Sequence, residues 1–102
     1  MNADADIQVW LETLTRTQPG VIIPYVMSSE QKRLRYQIRT VKSGKGGNAT
    51  LGQGGTVTLK PDVPTALSRM AISRSENDTC RIDLVITETG QKDRNYQFAC
   101  PD

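Results

Sequence analysis

The stretch Lys32–Lys42, KRLRYQIRTVK, decides the fold. Leu34, Tyr36 and Ile38 fall on one side of it, and Arg33, Arg35, Gln37, Arg39 and Val41 on the other. Successive strand residues point to opposite faces, so this alternation marks a β-strand buried on one face only. Its apolar side anchors a core. Its arginine side must face water or a partner.

Working outward, the same period recurs on both flanks. Toward the N-terminus, Val21–Met27 is a short apolar run broken by Pro24. Proline has no N–H to give a ladder, which predicts an edge or a bulge at that position. Ile7, Val9 and Leu11 alternate with Gln8, Trp10 and Glu12 in a first strand, and Pro19-Gly20 closes a turn between the two. Residues 1–6 read as a disordered tail, and 7–102 as a single domain.

Toward the C-terminus, Ser43–Gly55 holds six glycines in thirteen residues and reads as a flexible loop, with at most a short strand near Ala49–Leu51. It has neither the residue order nor the helix of a phosphate-binding loop. Thr56–Lys60 follows as a strand. Thr65–Ser73 is another, with Ala66, Ser68, Met70 and Ile72 on one face. Arg74–Thr79 is a polar turn. Arg81–Thr87 is the cleanest core strand, with Ile82, Leu84 and Ile86 inward, and Arg94–Cys100 closes the chain.

About seven strands with turn signals between them predict an all-β, immunoglobulin-like, antiparallel two-sheet sandwich. The antibody pattern of Cys, Trp and Cys on strands two, three and six is absent, so the architecture is predicted and the antibody family is not. In such a sandwich strands three, six and seven share a sheet. Its outer face then sets Arg33, Arg35, Gln37 and Arg39 beside Arg81, Asp83, Val85 and Thr87, and these beside Asp93, Asn95 and Gln97.

The two cysteines test that arrangement. A three-residue connection at Thr89-Gly90-Gln91 sets Ile86 opposite Arg94, Leu84 opposite Tyr96, Ile82 opposite Phe98 and Cys80 opposite Cys100. Directly opposed residues have Cα atoms about 4.5–5.5 Å apart, within disulfide reach. A Cys80–Cys100 disulfide closes a loop of about 20 residues, worth about 3 kcal/mol in the chain-entropy account. It predicts an oxidising compartment. A redox-active dithiol favours a CxxC spacing, which this pair lacks.

Composition narrows the function. Net charge is only +2, yet residues 31–61 carry seven basic side chains and no acidic one. Such lopsided charge steers charged partners. Lys42 and Arg81 join Arg33, Arg35, Gln37 and Arg39 as candidate binding residues, because arginine bonds carboxylates and amide carbonyls in planar, multidentate fashion. The plain alternative is a solvated face whose charges discourage aggregation. The patch lacks interleaved aromatics, which argues against nucleic acid. The chain has no histidine, which removes the usual catalytic triads and zinc sites, so no enzyme, metal or cofactor is expected. Asn48-Ala-Thr50 and Asn77-Asp-Thr79 match the glycosylation sequon, which matters only in a eukaryotic secretory route. No apolar run is long enough to span a membrane. Met1–Asp6 is acidic and polar, unlike a signal peptide, and reads as a mature N-terminus behind a start methionine.

Taken together, IQVWLETLT, GVIIPYV, RLRYQIRTVKSG, LSRMAIS, CRIDLVITETG and YQFAC resemble the CsgC-like family of Gram-negative curli systems, most closely its CsgH branch. The resemblance covers essentially the whole chain. It implies a small periplasmic immunoglobulin-like protein, here expected as a monomer, that keeps curli subunits from forming amyloid before export. The client is an unfolded, acidic subunit met through electrostatic guidance. The CsgC branch carries a Cys-x-Cys pair on one strand, which invited an oxidoreductase role. Cys80 and Cys100 lie on separate strands, so that role does not carry over. The competing expectation is a secreted or surface interaction module, pilus-associated or glycan-binding.

Overall fold

The computed structural model describes residues 7–13, 21–45, 47–71 and 78–100. The expected tail at 1–6, the Pro19-Gly20 turn and most of the 74–79 turn lie outside them. Among the described residues eight strands form: β1 (Ile7–Thr13), β2 (Val21–Ser28), β3 (Lys32–Gly44), β4 (Gly47–Leu59), β5 (Thr65–Ala66), β6 (Met70–Ala71), β7 (Thr79–Thr87) and β8 (Arg94–Ala99). All strand pairs are antiparallel. One sheet orders β1-β2-β5, with β6 also on β2, and the other orders β4-β3-β7-β8. This is the expected immunoglobulin-like sandwich, with β3, β7 and β8 sharing a sheet. No helix among the described residues is long and apolar enough to cross a membrane.

Alternation builds the core from both sheets. Ile7, Ile22 and Val26 face Leu34, Ile38, Leu59, Ile82, Leu84 and Ile86, and Leu67, Met70 and Cys100 complete the cluster. A fully buried aliphatic side chain stabilises by about 1.5–3 kcal/mol, so these few residues carry the fold. Tyr36 ties the layers together: its hydroxyl donates to the Leu67 carbonyl across the sandwich at 2.7 Å. On the other face of the first sheet Trp10 stacks on its cross-strand neighbour Tyr25, with ring centroids 5.7 Å apart.

The β7–β8 hairpin has the expected register: Ile82 opposes Phe98, Leu84 opposes Tyr96 and Ile86 opposes Arg94. Cys80 and Cys100 form a disulfide with Cα atoms 5.3 Å apart. Gly90, in the connection, has φ of 81°, a left-handed conformation that glycine adopts without strain.

Two expectations are corrected and a third is refined. Ser43–Gly55 is not a loop. Its residues from Gly47 belong to β4, a thirteen-residue strand whose register with β3 runs unbroken from Gly44↔Gly47 to Lys32↔Leu59. Backbone pairing with a long partner strand suffices to extend these glycines, although they bury almost nothing. Thr65–Ser73, of which Ile72 and Ser73 lie outside the described residues, is not one strand as far as Ala71. It pairs at Thr65–Ala66 and again at Met70–Ala71, and Leu67 and Met70 are buried while Ala66 is exposed, so strict alternation fails. Pro24 stands where the register of β2 slips by one residue between β5 (Tyr25↔Ala66) and β6 (Ile22↔Met70), the bulge that a proline within a strand predicts. Its carbonyl accepts from Leu67 N at 2.9 Å, so its ring nitrogen also faces the gap between β5 and β6, where no ladder bond is due.

Candidate functional site

The site is built on the outer face of the four-stranded sheet. On β3, Leu34, Ile38 and Thr40 are buried and Arg33, Arg35, Gln37 and Arg39 are exposed. The core grips one face and so fixes the direction of the other. Arg39 stands opposite Asp83 on β7, Gln37 opposite Val85 and Arg35 opposite Thr87. Asp83 and Val85 in turn stand opposite Gln97 and Asn95 on β8. Arg81 and Thr87 complete the expected β7 row, and Asp93, which precedes β8, accepts from the Thr87 hydroxyl at 3.0 Å.

Sequence reading missed the other flank. Arg33, Arg35, Gln37 and Arg39 have Thr58, Thr56, Gly54 and Gly52 of β4 as partners. Alternation marked Thr56 and Thr58, within the expected Thr56–Lys60 strand, but gave no signal for Gly52 and Gly54, which carry no side chain. Three shallow depressions line the face. One of about 370 Å³ lies between Gln37, Arg39, Asp83, Val85, Asn95 and Gln97. One of about 410 Å³ lies at Arg33, Arg35, Thr56 and Thr87, and one of about 240 Å³ over Gly54 and Gly55 beside Arg35 and Gln37. None is the enclosed cavity a small substrate needs. The surface suits an extended chain.

Electrostatics separate the basic residues into two groups. Lys32 and Arg94 converge on Glu88 beside the core, at 3.1 Å and 3.7 Å, with both cationic side chains only 11% exposed. Arg81 is 56% exposed but holds Asp83 at 3.1 Å on the same face. Arg33, Arg35 and Arg39 have no carboxylate within ion-pair distance among the described residues. Lys42 departs from expectation. It has the parity of Leu34 and Ile38, is partly buried, and stands opposite Cys80, so it projects from the other side of the sheet. The break lies in counting it with the arginines: charge groups residues by composition, but strand parity groups them by face.

With this geometry in place, comparison with known proteins decides the family. The Tafi-CsgC family, described as thin aggregative fimbriae synthesis protein, matches over residues 1–97. The chain belongs to this family. The curli assembly proteins CsgC of Salmonella typhimurium and Salmonella enteritidis are each 32% identical over 79 residues, which is 74% of this chain and 73% of theirs. The E. coli curli protein CsgC superposes with a TM-score of 0.75 at 23% identity, over 90% of this chain and 97% of that one. R. palustris CsgH does so with 0.69 at 14%, over 91% of each. Both confirm the fold of a CsgC-like protein. The Cys80–Cys100 disulfide fits a compartment outside the cytoplasm.

Proposed function

We infer that this CsgC-like protein acts in curli assembly, in the periplasm, as a monomeric chaperone-like inhibitor of amyloid formation by curli-type subunits. The observation that carries the reading is the outer face itself. Arg33, Arg35 and Arg39 stand in a row with no carboxylate within ion-pair distance among the described residues, Asp83 opposite Arg39 being held by Arg81, on a sheet whose other side is buried. An unfolded acidic subunit is drawn to such a row. Contacts between exposed charges are weak, fast and screened by salt, and they steer more than they hold. Brief occupancy of segments that must otherwise pair into cross-β delays nucleation without a stable complex. The relatives' names as curli assembly proteins support the role.

The test is a thioflavin fluorescence time course of a curli-type subunit, with and without this protein, at low and high salt. The expected result is a long delay that shrinks as salt rises. No delay at either salt refutes the reading and leaves the arginines as a solubility device. The Trp10–Tyr25 stack on the opposite sheet favours a second reading, a glycan-binding interaction module. That reading predicts salt-tolerant binding of a polysaccharide, lost in Trp10→Ala.

A further inference from the structure

β4 ends its sheet. Among the described residues it pairs with β3 and nothing else. It is thirteen residues long, without proline, charge or bulge. Those are the devices by which soluble proteins blunt an edge strand, and this one lacks them all.

The direction of its free backbone groups follows from three concordant observations. Cys100 N donates to Cys80 O, so even-numbered residues of β7 turn their polar groups toward β8. Their partners on β3, such as Lys42 opposite Cys80, therefore bond to β4, and odd-numbered β3 residues bond to β7. The Thr79 hydroxyl donates to Ser43 O on that same side. The close of the hairpin at Gly44↔Gly47 gives the same parity. Odd β3 residues face even β4 residues, so Thr50, Gly52, Gly54, Thr56 and Thr58 aim N–H and C=O outward, away from β3.

These same residues lie on the arginine face. Gly52 sits opposite Arg39 and Gly54 opposite Gln37. A Cβ at Gly52 would meet nothing within 4 Å, so packing does not explain that glycine. Its effect is to leave the surface between Arg39 and the free edge bare. On the other side of the same strand Leu51 is 51% exposed.

We propose that an extended segment of an unfolded acidic chain adds to the free edge of β4 as a fifth strand, with Arg39 reaching over Gly52 to a carboxylate on it. The partner's character rests on the function inferred above. The added strand lies two strand spacings from β3, roughly 10 Å. A long arginine crossing a residue without a side chain meets a glutamate or aspartate coming from the far side. Gln37 over Gly54 meets an amide two residues along. Apolar residues at the intervening positions lie against Leu51. The site thus selects chains that alternate acidic or amide residues with apolar ones. Main-chain hydrogen bonds hold such a segment, and the side-chain pairs choose it.

The experiment uses a curli-type subunit diluted from denaturant, with amide hydrogen exchange and thioflavin delay as readouts. Exchange at Thr50, Gly52, Gly54, Thr56 and Thr58 should slow at least tenfold on mixing, while Leu51, Gln53 and Val57, already bonded to β3, should not change. Gly52→Pro removes one outward donor at an edge position that tolerates proline, and should cut inhibition about tenfold without loss of fold. Gly52→Val keeps the donor, covers the bare surface, and should reduce the salt dependence of inhibition. If Gly52→Pro inhibits like the native protein while Arg35→Glu with Arg39→Glu does not, strand addition is refuted and the charged-face reading stands. If all variants inhibit alike, both are refuted. Should Gly52→Pro fail to fold, unchanged exchange at the five outward amides of the native protein refutes the proposal.

Discussion

Reversing Arg35 and Arg39 to Glu changes the client-facing surface by four units of charge and touches no core side chain, since both are exposed on β3. In water two unit charges about 7 Å apart interact by about one RT. Salt near 10 mM, with a Debye length of about 30 Å, leaves about 0.8 RT of this; near 0.15 M and 8 Å, about 0.4 RT; near 1 M and 3 Å, about 0.1 RT. Four units acting on one client carboxylate then weaken encounter about 25-fold, about 5-fold and about 1.5-fold in the three conditions. The assay is the protein concentration that doubles the thioflavin lag of a curli-type subunit, measured for native and reversed proteins at each salt. The ratio of the two concentrations should fall along that series, while melting temperatures stay within a few degrees of each other. A ratio that does not change with salt, or a reversed protein as potent as the native one at low salt, refutes the electrostatic argument. Arg81 supplies an internal control. Asp83 already holds it at 3.1 Å, so Arg81→Ala should change potency less than Arg39→Ala.

Other expectations concern what holds the face in place. Cys80→Ala with Cys100→Ala, or full reduction, should remove about 3 kcal/mol. At about 4–8 °C per kcal/mol, this lowers the melting temperature by about 12–24 °C in differential scanning fluorimetry, while inhibition well below the new midpoint persists. Tyr36→Phe leaves the Leu67 carbonyl without its 2.7 Å donor and should lose about 1–3 kcal/mol in urea unfolding. Gly55→Ala brings a Cβ within 3.0 Å of the same hydroxyl, so the two losses should add to less than their sum in the double variant. Asp62 has φ of 61° in the turn closed by Val63 N on Lys60 O at 3.2 Å. Asp62→Val should therefore destabilise by about 1–2 kcal/mol and Asp62→Gly by much less, as thermal melts would record.

Much of this molecule is legible in its sequence wherever one face of a strand is buried. β3, β7 and β8 alternate because the core requires it, and that alternation fixed the hairpin register, the disulfide and the arginine row together. Legibility fails where side chains do not decide the conformation. In β4 the glycines carry no pattern, and the strand exists because a thirteen-residue β3 offers backbone groups along its whole length. The cue lay in Gly44-Lys45-Gly46-Gly47, glycine-rich enough for a two-residue turn, with Thr56-Val57-Thr58-Leu59 resuming a strand pattern beyond it. Between β5 and β6 the chain leaves the sheet, and the Leu67 carbonyl there receives the Tyr36 hydroxyl, a long-range bond no local pattern encodes. The misplacement of Lys42 has the same origin, because a run of basic residues says nothing about which face each one occupies.

The net charge of +2 understates how polarised the surface is. Glu88 draws Lys32 and Arg94 against the core, where both are nearly buried. Had these cations been exposed, the basic surface would extend around the end of the sheet. Instead both are held within the fold, and among the described residues the row at Arg33, Arg35 and Arg39 has no carboxylate within ion-pair distance. Buried pairs are screened by salt far less than exposed ones. Raising ionic strength therefore weakens the attraction of a client to the arginine row while the Lys32–Glu88–Arg94 cluster and the aliphatic core hold. This separation makes salt a clean probe of the face: inhibition and stability respond to it through different residues, so a loss of inhibition at constant melting temperature can be assigned to the row itself.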